Sequence, residues 1–143
     1  VIAIIGLFIM VSGLHLISSS RSIPSVSRLE RNGWVPAGNF ASYNEGRAKL
    51  VRSTNHEIAV YLHEGKIYAV SNQCAHQMGP LSEGKIIDGC ITCPWHGHQF
   101  DPKNGVSPPP FTDRIATFPA MVEDGEVWIK PDPELNFKKN VNS

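Results

Sequence analysis

Two short segments of the chain carry side chains that bind metal ions. Cys74 and His76 are separated by one residue, and sixteen residues further along Cys93 and His96 are separated by two. Thiolate sulfur and imidazole nitrogen are ligands for both zinc and iron. The pattern therefore predicts a metal centre with four protein ligands: Cys74, His76, Cys93 and His96.

The order of these ligands distinguishes two kinds of centre. A zinc site with two cysteines and two histidines usually takes its cysteines from one loop and its histidines from another, since four ligands must converge on one ion. Here each segment mixes the two types. Mixing suits a binuclear [2Fe-2S] cluster, because each loop can give its cysteine to one iron and its histidine to the other. The order favours the cluster, and tetrahedral zinc is the alternative.

The residues around the ligands resemble those of a known family. The Cys-x-His segment, the Cys-Pro-Trp-His-Gly segment and residues 99–101 together resemble the cluster loops of Rieske iron-sulfur proteins. Residues 107–110 resemble the proline loop of that family, residues 34–37 its first strand and residues 121–129 its closing hairpin. The resemblance covers about residues 33–131.

The resemblance implies a fold and a role for each ligand. The fold is mostly β, with stacked antiparallel sheets and a two-loop cluster-binding subdomain. Cys74 and Cys93 would bind the iron that stays ferric, and His76 and His96 the iron that takes the electron. One [2Fe-2S] cluster per chain would then exchange electrons with a redox protein donor and acceptor at the outward imidazole edges.

The ligand types also predict a redox potential. Two ferric ions, two sulfides and two thiolates sum to zero charge when both imidazoles are neutral, so we expect a potential above the roughly −400 mV of four-cysteine ferredoxins. High-potential Rieske proteins of quinol-oxidising complexes carry an extra cysteine in each loop and a serine after the second. Gly79, Trp95 and His98 occupy those positions here. The loops therefore resemble the ferredoxin and oxygenase branch, with a predicted potential of about −150 mV.

Several neighbours of the ligands have two interpretations. Gly79 and Gly97 could permit close backbone approach to the cluster or simply turn the chain. Trp95 could shield the cluster, as Pro80, Leu81 and residues 108–110 would, or pack in the core. His98 could tune the potential with pH, but a structural hydrogen bond is the favoured interpretation.

Three further side chains are predicted to lie outside the metal centre. His56 and His63 stand at turn or strand-end positions, and we expect both to face solvent. Cys90, between Ile87 and Ile91, is expected to be a small buried apolar residue in a strand.

The chain shows eight short β-like runs separated by glycine and proline. Residues 48–51, 58–62 and 67–70 are predicted strands, and residues 63–66 are expected to close a hairpin between the last two. Asp124-Gly125 predicts a second tight hairpin. Residues 89–92 are expected to form the strand that enters the second ligand loop.

Composition limits the remaining possibilities. The 143 residues allow one domain of ordinary size with short additional segments. The formal net charge is zero. A nucleic-acid-binding protein would present a basic face, so no nucleic acid is expected as a partner.

The N-terminal residues predict contact with membrane lipid. Residues 1–17 carry no charge and are expected to form one transmembrane helix, with a cleaved signal peptide as the alternative. His15 is expected to reach the membrane surface. Residues 18–32 read as a serine-rich tether, residues 33–131 as the Rieske domain and residues 132–143 as a polar tail. Arginines after the helix favour a single-pass protein with a cytoplasmic head.

These features predict a membrane-anchored one-electron carrier, a subunit or partner of a membrane redox complex and not itself an enzyme. The alternative is a Rieske ferredoxin that delivers electrons to an oxygenase or reductase. A quinol-oxidising subunit of a bc-type complex is a further possibility. Oxygenase catalysis by this chain is not expected, since no histidine follows Pro131 to hold a mononuclear iron.

Overall fold

The computed structural model of the chain describes residue 30 and residues 32–133. The predicted transmembrane helix at residues 1–17 lies outside the described residues, as do nearly all of the tether and most of the tail. Within the described part, no helix is both long enough and apolar enough to cross a membrane.

The described residues form ten short strands in three antiparallel sheets, which agrees with the predicted mostly β fold. One sheet has the order β1-β10-β9, a second the order β2-β3-β4-β8, and a third the order β5-β6-β7. The strands are β1 (Val35–Asn39), β2 (Ala48–Arg52), β3 (Glu57–His63), β4 (Lys66–Ser71), β5 (Lys85–Ile87), β6 (Cys90–Thr92), β7 (Gln99–Phe100), β8 (Thr117–Phe118), β9 (Ala120–Glu123) and β10 (Glu126–Ile129).

The four-stranded sheet is buried on both faces. Along β3, Ile58 and Val60 pack in a core cluster with β10, while Ala59 and Tyr61 pack in a second cluster with both ligand cysteines. Because successive side chains of a strand point to opposite faces, burial of both faces requires a continuous apolar run. The apolar sequence of β3 is therefore the signature of a central strand.

Three tight turns share one backbone conformation. The predicted hairpins turn at Glu64-Gly65 and at Asp124-Gly125, and both residues of each pair have positive φ. Such pairs match the twist of antiparallel strands. Both hairpins are confirmed.

A third turn of this kind corrects one predicted strand. Asp88-Gly89 has φ values of 51° and 78° and joins β5 to β6. Residues 89–92 were expected to form a strand, but β6 begins only at Cys90 because Gly89 belongs to the turn. The Asp-Gly pair was a visible signal for it.

Candidate metal centre

The first ligand loop, residues 74–79, follows β4 and precedes the 3-10 turn Leu81–Glu83. Its ends are tied together by two backbone hydrogen bonds. Cys74 N–H donates to the Gly79 carbonyl at 2.9 Å, and Met78 N–H donates to the Cys74 carbonyl at 2.8 Å. Met78 is left-handed, with φ of 64°.

The second ligand loop, residues 93–98, joins β6 to β7 and repeats this pattern at the same spacing. Cys93 N–H donates to the His98 carbonyl at 2.8 Å, and Gly97 N–H donates to the Cys93 carbonyl at 3.0 Å. Gly97 has φ of 72°, so it matches Met78 of the first loop. Each loop is thus a closed turn that begins with a cysteine and carries a histidine near its tip.

The two loops bring like ligands together. Cys74 and Cys93 are both buried in one core cluster. His76 and His96 are both exposed, and their ring centroids lie 5.2 Å apart with the planes at 85°. The fold therefore places a thiol pair inside and an imidazole pair at the surface.

The environment of Cys74 fits a sulfur that binds metal. Burial raises the pKa of the Cys74 thiol above its usual value, and the adjoining Cys93 adds to this effect. The backbone N–H groups of His76 and Gln77 donate to the Cys74 sulfur and act in the opposite direction. N–H donors directed at a sulfur also stabilise it as a metal ligand.

Space around the sulfurs is limited by Gly79. A Cβ built on Gly79 would lie 2.8 Å from Cys93 Sγ and 3.1 Å from the Trp95 ring, closer than real Cβ atoms come to a sulfur. At Gly97, apart from its chain neighbours, no described atom lies within 4 Å of such a Cβ. Gly79 thus serves close approach, and Gly97 serves a left-handed turn.

The arrangement distinguishes the two predicted kinds of metal centre. Tetrahedral zinc needs four protein ligands around a single centre. Each iron of a Rieske cluster takes only two, both of one type, and the buried thiol pair and the exposed imidazole pair fit that demand.

The surface around the imidazoles is apolar. Three large side chains are more than half exposed there: Met78 at 60%, Trp95 at 56% and Phe111 at 57%. Packing of Trp95 in the core, one of the two interpretations, is wrong, because its ring lies at a loop surface against Gly79. Sequence reasoning did not single out Met78 or Phe111.

The remaining shielding residues differ in their burial. Leu81 is fully buried and belongs to the same core cluster as the ligand cysteines, while Pro80 is half-buried. In the proline loop Pro108 is half-buried, but Pro109 and Pro110 are exposed. A cavity of about 180 Å³ separates this loop from His96.

The favoured interpretation of His98 is confirmed. Its side chain is 9% exposed, and Nε2 lies 3.1 Å from Ser107 Oγ and 3.1 Å from Asp113 Oδ2. Its ring lies parallel to that of His76, with centroids 5.3 Å apart. Ser107 begins the predicted proline loop, but its contact with His98 was not predicted, and Asp113 was not singled out at all.

The other two predicted surface histidines are more enclosed than expected. His56 is half-buried, and its ring meets the edge of the Phe118 ring at 5.4 Å. The His63 side chain is 16% exposed and pairs with Glu45 Oε1 at 2.9 Å. Tertiary neighbours cover part of each ring, both residues stay partly exposed, and neither belongs to the metal centre.

Cys90 lies on β6, as predicted, but is half-buried instead of buried. Burial and then the nearby carboxylates of Asp101 and Asp88 raise the pKa of its thiol. A thiol with a raised pKa forms little of the reactive thiolate. Cys90 is therefore a poor candidate for a reactive cysteine, and it lies in β6, outside both ligand loops.

Comparison with known proteins identifies the family. Residues 33–119, well over half of the chain, match the Rieske [2Fe-2S] domain. The chain belongs to the Rieske family. A Rieske domain binds a [2Fe-2S] cluster, so the predicted cofactor is confirmed.

Three similar proteins have related descriptions. The ferredoxin component of naphthalene 1,2-dioxygenase/salicylate 5-hydroxylase systems from Ralstonia sp is 35% identical over 98 residues, which are 68% of this chain and 94% of the relative. A chain in the complex of reduced oxygenase and oxidized ferredoxin in carbazole 1,9a-dioxygenase has a TM-score of 0.67 and 28% identity, covering 72% of this chain and 97% of its own. The Sphingomonas yanoikuyae B1 ferredoxin has a TM-score of 0.60 and 31% identity, covering 67% and 96%.

These relatives agree on the broad role. This Rieske protein is an electron carrier and not an enzyme by itself, as predicted. The family match begins at residue 33, after the predicted anchor and tether. Both of those segments therefore stay predictions.

Proposed function

We propose that this Rieske protein is a ferredoxin that passes single electrons from a reductase to an oxygenase. Sequence analysis held this function as the alternative to a subunit of a membrane redox complex. The alternative has the better support, because relatives that this chain covers almost completely are ferredoxin components of oxygenase systems. The aligned region covers 94% and 90% of these two relatives, so they contain little besides the shared domain.

In this proposal, Cys74 and Cys93 bind one iron, and His76 and His96 bind the other. The observation that carries it is the separation of ligand types, with both thiols buried and both imidazoles exposed. When bound, the cluster supplies one-electron chemistry. The protein residues bury the sulfur side, present the imidazole side and direct N–H groups at the Cys74 sulfur.

The exposed imidazoles are the proposed point of electron exchange. Met78, Trp95 and Phe111 surround them with uncovered apolar area. Residues 74–80, 93–99 and 107–112 contain no Asp, Glu, Lys or Arg. We therefore expect a redox partner to bind here mainly through apolar contact, so electron transfer should depend only weakly on ionic strength.

An EPR-monitored redox titration tests the cluster and its potential together. We expect a Rieske signal with a midpoint potential of about −150 mV. A midpoint well above zero would point to quinol oxidation instead. Absence of any iron-sulfur signal in protein loaded with iron and sulfide would make a zinc site the favoured interpretation.

A reconstituted electron-transfer assay tests the ferredoxin role itself. The purified chain is combined with an NADH-dependent reductase and a Rieske oxygenase, and product is measured with and without the chain. Turnover should require the chain, and His96→Ala should abolish it. Turnover that is equally fast without the chain would contradict the proposal.

Residues 1–17 favour a second candidate, the same carrier attached to a membrane and serving a membrane redox complex. The supporting observation is their lack of any charged residue. Fractionation of the native chain decides between the candidates. Cluster recovered with membranes after a high-salt wash supports attachment, whereas cluster in the soluble fraction favours the untethered ferredoxin.

A further inference from the structure

We propose that His98 is a positioning residue that sets the plane of the His76 imidazole, and that Ser107 and Asp113 hold His98 in place. His98 belongs to the second ligand loop, but the ring it contacts belongs to the first. The inference rests on the proposed role of His76 as a cluster ligand. It assigns a task to three residues beyond the four ligands.

The anchor of His98 is well defined. Nε2 lies 3.1 Å from Ser107 Oγ and 3.1 Å from Asp113 Oδ2. The hydrogen bond joins Nε2 to the Ser107 hydroxyl, and the Asp113 carboxylate lies at ion-pair distance from the same nitrogen. Two contacts at one ring nitrogen therefore fix the direction of the ring.

The two anchoring residues are themselves held together. Ser107 N–H donates to the Asp113 carbonyl at 3.0 Å, and the adjacent Val106 and Arg114 form an antiparallel bridge. Ser107 is buried, and Asp113 is 42% exposed at its side chain. The support for His98 is thus a closed loop with a paired backbone.

The orientation of the His98 ring is further restricted by aromatic neighbours. Phe100 lies 5.1 Å away at an interplanar angle of 57°, and Phe111 lies 5.0 Å away at 64°. The His76 ring is parallel within 9° at 5.3 Å, whereas His76 and His96 are nearly perpendicular. Phe100 and Phe111 are both tilted with respect to His98. The contact between His98 and His76 is the parallel one, so it can set the plane of the His76 ring.

The His76 ring is therefore stacked on an anchored ring. Among the described residues, no such stacked ring contacts His96. Partners that orient a ligand imidazole tune the metal centre that it binds. Changing the support should therefore alter the spectrum and the potential of the cluster. A purely structural His98 would affect stability alone.

The test compares Asp113→Ala with Asp113→Asn in the full chain loaded with iron and sulfide. Both substitutions remove the same negative charge, but asparagine keeps an oxygen that can accept from Nε2. A difference between the two variants therefore reports the contact between this oxygen and Nε2, and not the charge. His98→Leu removes the anchor and the stacked ring together.

The readouts are the EPR g-values, the midpoint potential and the iron content. Asp113→Ala and His98→Leu should change the g-values, and their ratio of reduced to oxidised cluster at the wild-type midpoint should change at least about threefold. Asp113→Asn should keep the wild-type g-values. His63→Leu is the matched control, since it breaks another imidazole-carboxylate pair, His63 with Glu45, outside both ligand loops.

Two outcomes would overturn the positioning role. One is a cluster with wild-type g-values and potential in both Asp113→Ala and His98→Leu. The other is loss of the cluster from all three variants, which would make these residues part of the folded frame only. If His98→Leu alone loses the cluster, the positioning role is decided by whether the g-values and the midpoint potential differ between Asp113→Ala and Asp113→Asn.

A separate measurement tests the assignment on which the proposal rests. His76→Ala should lose the imidazole-ligated signal that the wild-type chain shows. Retention of that signal would remove His76 as a ligand and the positioning role with it. Failure of the positioning role alone would leave the wild-type signal and the electron-transfer assay unchanged.

Discussion

The two ligand loops share one pattern of backbone hydrogen bonds, although their sequences have only the cysteine in common. Both close with the same pair of hydrogen bonds, and both have a left-handed residue four places after the cysteine. The first loop has Met78 there and then Gly79, while the second has Gly97 and then His98. Equivalent backbone geometry is thus achieved with glycine in different places for different physical reasons.

The comparison shows what each glycine does. Gly79 is needed because the Cβ of any other residue would lie only 2.8 Å from Cys93 Sγ. Gly97 has open space around it and is needed only for its conformation. The first loop has a non-glycine residue, Met78, at the left-handed position, whereas the second loop has glycine there and the half-buried His98 at the next position.

The loops also differ in how the rest of the fold supports them. Tyr61 of β3 donates its hydroxyl hydrogen bond to the carbonyl of Leu81, just after the first loop. The second loop is held through His98 by Ser107 and Asp113. One support comes from the central sheet and the other from the proline loop.

The largest expected effect is that of Gly79→Ala. Its Cβ would lie 2.8 Å from Cys93 Sγ, so the ligand must move, and a ligand displaced by more than about 0.5 Å no longer holds productive geometry. We expect loss of most of the cluster, measured as iron and labile sulfide per chain. Gly97→Ala is the control. It should keep the cluster and lower the free energy of unfolding by about 1–2 kcal/mol, and equal loss in both variants would contradict the distinction.

The next largest expected effect is a fall in the midpoint potential of the His76→Cys and His96→Cys variants. Each thiolate adds one negative charge to the centre, so each midpoint should fall toward the roughly −400 mV of four-cysteine clusters. Redox titration of the two variants, with matched iron content, measures the falls. An unchanged midpoint in either variant would remove that histidine from the ligand set and end the equivalence of the loops.

Tyr61→Phe tests the support of the first loop. The Leu81 carbonyl keeps a hydrogen bond from Gly84 N–H, so the free energy of unfolding should fall by only about 1 kcal/mol in urea titration. Cluster content should be unchanged. A loss of cluster as great as in Gly79→Ala would show that this hydroxyl shapes the loop directly.

The same variant has a pH signature. Burial raises the pKa of Tyr61 above its usual value of 10.0. A raised pKa in the folded state gives stability that is complete below pH 10 and is lost as pH rises further. Tyr61→Phe should therefore lose stability less steeply above pH 10 than the wild type. Tyr43, whose pKa burial raises to about 12, is present in both chains and leaves a shared residual slope.

The smallest expected effect is that of Met78→Gly, which makes the left-handed position of the first loop like that of the second. Relief of the positive φ outweighs the added flexibility of glycine, so the free energy of unfolding should rise by about 0.5 kcal/mol. Met78 is 60% exposed and gives up little packing. Urea unfolding measures the change, and a fall above about 1 kcal/mol would mean that the methionine side chain supports the loop.

Much of the scaffold could be predicted because its signals are local. Apolar runs marked β3 and β4, and the turns at residues 64–65 and 124–125 had the small or acidic residues that such turns need. Strands β7 and β8 have two residues each, too few for an alternating pattern to stand out. Those strands exist because neighbouring strands pair with them.

The candidate site was predicted in part for the same reason. Ligand types and spacing lie within short segments, so the sequence alone indicated four candidate ligands and a cluster type, and the family match confirms the cluster type. What the sequence left open is how far other parts of the fold cover the rings of Trp95, His56 and His63. That depends on residues far away in the chain, such as Phe118 for His56 and Glu45 for His63.

By itself, the sequence determined the chemistry of this protein, because ligand identity, ligand order and turn residues are properties of neighbours along the chain. Tertiary structure decided which ligands are buried, why Gly79 has no side chain and which residues hold His98. Those properties join residues from separate loops, and only folding brings Gly79 to Cys93 or Asp113 to His98. Distances between such groups are set by the packing of the three sheets and are not written in any local pattern.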